Sequence, residues 1–80
     1  MKIYWHNGKK NVIGKNVRRL RKAMGWTQRD LTTQVQLCGV DMERLTIGRI
    51  ENGERFVSDY EVKAICEALQ TTFEELYQGT

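Results

Sequence analysis

Two segments about twenty residues apart restrict this chain more than any other feature, because each marks one end of a helix. W-T-Q-R-D-L, Trp26 to Leu31, opens a helix. Thr27 can accept a hydrogen bond from the amide of Asp30, the Asp30 carboxylate can return one to the Thr27 amide, and Trp26 and Leu31 stand where a hydrophobic staple closes. T-I-G-R-I-E-N-G, Thr46 to Gly53, closes one, since Asn52-Gly53 is a C-terminal stop.

The rest of the chain accommodates itself to this pair. There is no proline, repeat or low-complexity stretch. The first ten residues or so read as irregular or weakly extended, with a turn at His6-Asn7-Gly8. The spacing of Ile13, Val17, Leu20 and Met24 predicts a helix from about Val12 to Met24, with Lys15, Arg18, Arg19 and Lys22 on its other faces and Gly25 as its stop. Helix two carries Leu31, Val35 and Leu37 inward and fades near Cys38-Gly39. Helix three starts between Asp41 and Glu43 and runs to Glu51, with Ile47 and Ile50 inward. Leu45, Gly48, Arg49 and Asn52 fall on the opposite side and Arg44 on the flank. Ser58, with Glu61 three residues on, starts a fourth helix whose Val62, Ile65, Cys66 and Leu69 point inward; Thr72 with Glu75 starts a short fifth, with Phe73 and Leu76 as its apolar contacts. Five helices and no strand make the expected class all-α.

Eighty residues make one domain, and a chain of that size buries roughly 60% of its unfolded surface, a modest core. No apolar run reaches the ~18 to 20 residues that cross a bilayer, and the N-terminus lacks the pattern of a secretory signal. Cys38 and Cys66 stand far apart without a C-x-x-C or a histidine cluster, so they read as reduced thiols of a cytoplasmic protein, with no metal site. Charge is split along the chain. Residues 1–29 hold nine Lys and Arg and no Asp or Glu; residues 30–80 hold four basic and ten acidic side chains, a balance of −6, and together they give the net +3. A split of this kind suits a polyanion held on one side of the fold.

Two short helices in close succession behind a basic first helix are the layout of a helix-turn-helix DNA reader. From about Ile13 to Leu76 the chain resembles the Xre/Cro/C1-type helix-turn-helix family of phage and bacterial repressors. L-R-K-A-M-G-W-T-Q (Leu20 to Gln28), T-I-G-R-I-E-N-G (Thr46 to Gly53) and A-L-Q-T-T-F-E-E-L (Ala68 to Leu76) carry the match, in order and near the family's spacing. The resemblance implies a five-helix bundle of the lambda-repressor-like DNA-binding type, with an N-terminal arm over 1–11, the domain over 12–77 and a tail over 78–80. It implies that Gln28 holds a phosphate at the start of helix two, where unpaired amides and the helix dipole favour an anion. Arg44, Leu45 and Arg49 match positions that reach base edges: Arg can bridge guanine O6 and N7, while Leu can meet a thymine methyl. Asn52 matches a phosphate contact, Thr27 and Thr46 complete the DNA-facing set, and Arg21 with Glu51 matches a structural ion pair tying helix one to helix three. Leu45 has a second reading, packing beneath the connection before helix three. Arg18, Arg19 and Lys22 read as a solvated basic face without individually placed contacts. His6 reads as an incidental surface residue, and Tyr4 and Trp5 as pins for the arm.

The chain departs from the family pattern twice. Between Leu31 and Ile47 it has about five residues more than a pattern joined by a three- or four-residue turn, so either helix two runs a turn longer or the loop bulges at Q-L-C-G-V-D-M-E. Gly48 sits mid-helix, where Gly costs about 1 kcal/mol relative to Ala, and leaves the presumed DNA-facing surface without a side chain.

The function expected is that of a sequence-specific DNA-binding transcriptional regulator, a repressor. Helix three would lie in the major groove of double-stranded DNA while the N-termini of helices two and three hold phosphates. One domain makes few contacts, so a homodimer on a two-fold site is expected, with half-sites about 34–36 Å apart. Phe73, Leu76 and Tyr77 are the candidates for its interface, closure of the monomer core being their other reading. A regulatory partner protein is a further expected partner. The alternative is an antitoxin-like or adaptor protein whose main partner is another protein. No Ser/His/Asp set, metal spacing or glycine-rich phosphate loop is present, so neither an enzyme nor a cofactor is expected.

Overall fold

The computed structural model describes residues 8–80; the expected turn at His6-Asn7-Gly8, the pinning by Tyr4 and Trp5 and most of the weakly extended start lie outside the described residues or straddle their edge. The chain is all-α, with α1 Gly14–Ala23, α2 Gln28–Leu37, α3 Arg44–Glu51, α4 Asp59–Leu69 and α5 Phe73–Leu76. Local chemistry sets most of these boundaries. The capping box of α2 is closed in both directions, Asp30 N–H onto Thr27 Oγ1 at 3.1 Å and Thr27 N–H onto Asp30 Oδ2 at 2.9 Å. At α4 Ser58 is the N-cap and its N–H donates to Glu61 Oε1 at 2.9 Å. Thr72 Oγ1 caps α5 by accepting from Glu75 N–H at 3.1 Å. After α1 the chain turns at Gly25, whose φ of +74° is a left-handed value that favours glycine.

The helices enclose one core. α2 packs against α3 and α4, and α1 against α3. Ile13, Val17, Leu31, Val35, Ile47 and Ile50 are sealed from solvent, and Ile65 of α4 and Leu76 of α5 complete the centre. Each such side chain stabilises the fold by about 1.5–3 kcal/mol relative to leaving it in water. Cys66 is buried and Cys38 half-buried, both unpaired. Burial, with Glu67 nearby, pushes the Cys66 thiol above its ordinary value, so it behaves as a small core residue rather than a nucleophile.

Three inward expectations at helix ends are corrected, and Leu76 takes the second of its two readings. Met24, the C-cap of α1, is 37% exposed because the chain already bends there toward Gly25. Leu37, the last residue of α2, is 76% exposed; the inward place near it is taken by Met42, which is buried. Phe73, in the first turn of α5, is exposed, so Leu76 alone of that pair reaches the core. Leu76 is wholly buried and therefore serves the monomer core instead of an interface. The connection from α2 to α3 is six residues, Cys38 to Glu43. It folds back on the core: Met42 fills it, Val40 packs beside it, and Gln36 Nε2 donates to Met42 O at 2.8 Å.

Among the described residues no helix is long and apolar enough to cross a membrane.

Candidate nucleic-acid interface

α3 is held at its C-terminal end by three other parts of the chain. From α1, Arg21 meets Glu51 with two hydrogen bonds, Nε to Oε2 at 2.7 Å and Nη2 to Oε1 at 3.0 Å, and its Nη1 donates to Trp26 O at 2.8 Å. Gln28 Nε2, at the start of α2, donates to Glu51 Oε1 at 3.2 Å, and Arg18 Nε reaches the same oxygen at 3.3 Å. Burial pushes the Glu51 carboxyl up, but the donors on Arg21, Gln28 and Arg18 outweigh it and hold the group below its ordinary value. The Arg21 guanidinium, bonded to that carboxylate, is held in its charged form. From the segment before α1, Asn11 Nδ2 donates to Ile50 O at 3.1 Å and to Arg55 O at 2.8 Å, while its Oδ1 accepts from Gly14 N–H at 2.9 Å. One asparagine thus joins the start of α1 to the end of α3.

With α3 fixed in this way, its outer side stays open. Arg44, Leu45, Arg49 and Asn52 are exposed, and Thr46 is half-buried. Leu45 is 59% exposed and does not pack beneath the α2–α3 connection. Arg44 and Arg49 have no hydrogen bond or ion pair among the described residues, whereas Arg18, Arg21 and Arg55 are each matched to a carboxylate. Exposed, unmatched guanidinium groups on one helix keep their donors for an external acceptor.

The start of α2 adjoins this surface. Its capping box occupies the amides of Thr27 and Asp30, leaving those of Gln28 and Arg29 without a partner among the described residues at the positive end of the helix dipole. Thr27 is exposed and Gln28 half-buried. The side chain of Gln28 lies against α3, with its Oε1 3.4 Å from where a Cβ on Gly48 would stand. A Cβ at Gly48 would thus rest against Gln28 in ordinary van der Waals contact.

Several contributors were not legible from the sequence. Arg18 is no merely solvated residue: its Nη2 donates to Asn52 Oδ1 at 2.7 Å. Arg55 forks onto Glu61, Nη1 to Oε1 at 3.0 Å and Nη2 to Oε2 at 2.9 Å, and holds the loop after α3 to α4. Asn11 carried no signal, since both of its distant partners are backbone carbonyls some forty positions away.

An all-helical domain whose third helix is clamped by its C-terminal end and bares an unmatched polar edge beside the start of the second is a helix-turn-helix domain. Residues 12–77 match the family model described as helix-turn-helix domain, and the chain belongs to that family. Among solved structures it is similar to the restriction-modification controller protein C.AhdI from Aeromonas hydrophila, at 30% identity over 80% of this chain and 89% of that one, with a TM-score of 0.71. It shares its fold with the hypothetical transcription factor NHTF from Neisseria, at 18% identity over 96% of this chain and 83% of that one, with a TM-score of 0.74. No curated protein matches. By class the chain is a DNA-binding regulator of the helix-turn-helix kind, and its Xre-like resemblance agrees with these neighbours.

Proposed function

We propose that the protein is a sequence-specific transcriptional repressor that lays α3 in the major groove and binds its site as a homodimer. The observation that carries this reading is that α3 bares two exposed, unmatched arginines, Arg44 and Arg49, beside the start of α2, where Arg29 is exposed and unmatched as well; Arg18, Arg21 and Arg55 are bonded within the fold, and Arg19 is exposed on α1. Arg44, Leu45, Thr46 and Arg49 face base edges. A bidentate arginine on guanine gives about 1–3 kcal/mol of discrimination, and Leu45 supplies an apolar contact for a thymine methyl. Thr27 and the amide of Gln28 take a phosphate at the head of α2, and Asn52 takes one at the far end of α3. The likeness to a restriction-modification controller supports a regulatory role. The homodimer rests on Phe73 and Tyr77, both left exposed next to the buried Leu76. The protein acts in the cytoplasm and does no chemistry of its own.

Selection from a random duplex library, followed by salt titration of the winning sequence, tests this. An enriched two-fold site whose preference over random duplex persists as salt rises is the expected result. Equal binding to every duplex contradicts it.

A further inference from the structure

The last carbonyls of a helix carry partial negative charge, so the end of α3 would by itself repel a phosphate. In this chain that end is altered by residues from outside α2 and α3. Lys9 lays its stem over Gly53, where a Cβ would stand only 2.5 Å from Lys9 Cδ, and its ammonium donates to Asn52 O at 3.1 Å. The Lys10 N–H donates to Gly53 O at 2.8 Å. From α1, Arg18 donates through Nη2 to Asn52 Oδ1 at 2.7 Å while its Nε rests on Glu51. Both oxygens of Asn52 are therefore held by cations. An asparagine amide has one acceptor oxygen and two N–H donors. With the oxygen taken, what exposed Asn52 offers is the donor pair on Nδ2, which has no partner among the described residues.

We propose that Lys9, Arg18 and Asn52 Nδ2 form a composite seat for one backbone phosphodiester of the duplex, with Arg18 the positioning residue that fixes which way the Asn52 amide faces. The seat rests on the DNA-binding reading above and extends it to two side chains outside the helix-turn-helix pair. It lies in an open cleft that Lys15 also lines, so the cationic field extends along α1. Glu51, already bonded to Arg18 and Arg21, and Glu54 are the acidic side chains that line the same cleft.

The test uses the full chain, a short fluorescein-labelled duplex of random sequence, and anisotropy over a series of salt concentrations, with melting followed for every variant. Asn52→Asp keeps the shape and the oxygen that Arg18 holds but replaces the donor with a carboxylate oxygen. It should retain the melting temperature and bind roughly tenfold more weakly at low salt. Arg18→Met keeps the apolar stem and should make the slope of log K against log salt shallower by about 1. Its loss should shrink in an Asn52→Ala background, because part of its effect is to fix the way the Asn52 amide faces. Glu54→Gln should strengthen binding. Wild-type affinity for Asn52→Asp, or an equal Arg18→Met loss in both backgrounds, overturns the seat. Displacement of the duplex by inorganic phosphate at matched ionic strength would mark a free-anion site and overturn it too. If the wild-type chain binds no duplex, the DNA reading itself fails; if it binds and the variants match it, only the seat fails.

Discussion

Arg21 and Glu51 form a forked pair, 2.7 and 3.0 Å, in which the carboxylate side chain has no solvent exposure and the guanidinium side chain only 9%. The fork ties the last turn of α1 to the last turn of α3, so it sets the angle at which α3 is presented. Two flat groups bonded edge to edge leave little freedom for either helix to roll.

Breaking one side of this pair should therefore cost far more than removing both. Arg21→Met leaves Glu51 buried with only the weaker donors of Arg18 and Gln28, and urea unfolding should show a loss of about 3–5 kcal/mol. Arg21→Met with Glu51→Leu should recover most of that loss, because no buried charge remains. A double variant no more stable than the single one would mean that the pair contributes through packing alone.

Acid should unfold the protein in a defined window. Glu51 and Glu61 are both held below their ordinary value of 4.5. For Glu51 burial opposes the donors of Arg21, Gln28 and Arg18; for Glu61 the Arg55 fork leads, with burial opposing and Ser58 assisting. A carboxyl whose folded pKa lies below its unfolded one stabilises the fold fully above the unfolded value and loses that contribution as pH falls through the folded one. Urea midpoints should thus be flat on account of these groups above about pH 5 and fall below 4.5. Glu61→Gln should flatten the acid limb; an unchanged limb would show that other carboxyls govern it.

Two helical glycines should respond to alanine with opposite signs. At Gly14 a Cβ would fall on Ile50 O and stand 2.8 Å from Glu51 O, both backbone atoms, so α1 must move off α3. Gly14→Ala should lose about 2 kcal/mol or more despite its better helix propensity. At Gly48 the nearest atom is 3.4 Å away, on the flexible Gln28 side chain. Gly48→Ala should gain up to about 1 kcal/mol. Thermal unfolding of the two variants decides the matter.

What the sequence made legible was what is local. Thr27 with Asp30 and Thr72 with Glu75 act three residues apart, so their caps can be read directly. Ile47, Ile50, Val62 and Ile65 follow a helical period and are buried. Periodicity failed at the edges, where Met24, Leu37 and Phe73 sit at or within one residue of a helix terminus and the wheel no longer describes the backbone. Arg21 with Glu51 came from the family resemblance, because nothing in their spacing links positions thirty apart. The clamp by Lys9 and Asn11 and the burial of Met42 were out of reach for the same reason. These contacts follow no period, and each depends on where a loop returns to α3 or the core.

Arg49 is the side chain through which base reading by α3 can be separated from backbone binding. Affinities of wild type and Arg49→Ala should be compared on the selected duplex and on copies changed at one base pair at a time. Arg49→Ala should lose about 1–3 kcal/mol on the parent duplex and become indifferent at one position per half-site while keeping its preferences elsewhere. Uniform weakening on every duplex, with all preferences intact, would place Arg49 on the phosphate backbone and rule out base reading by this residue.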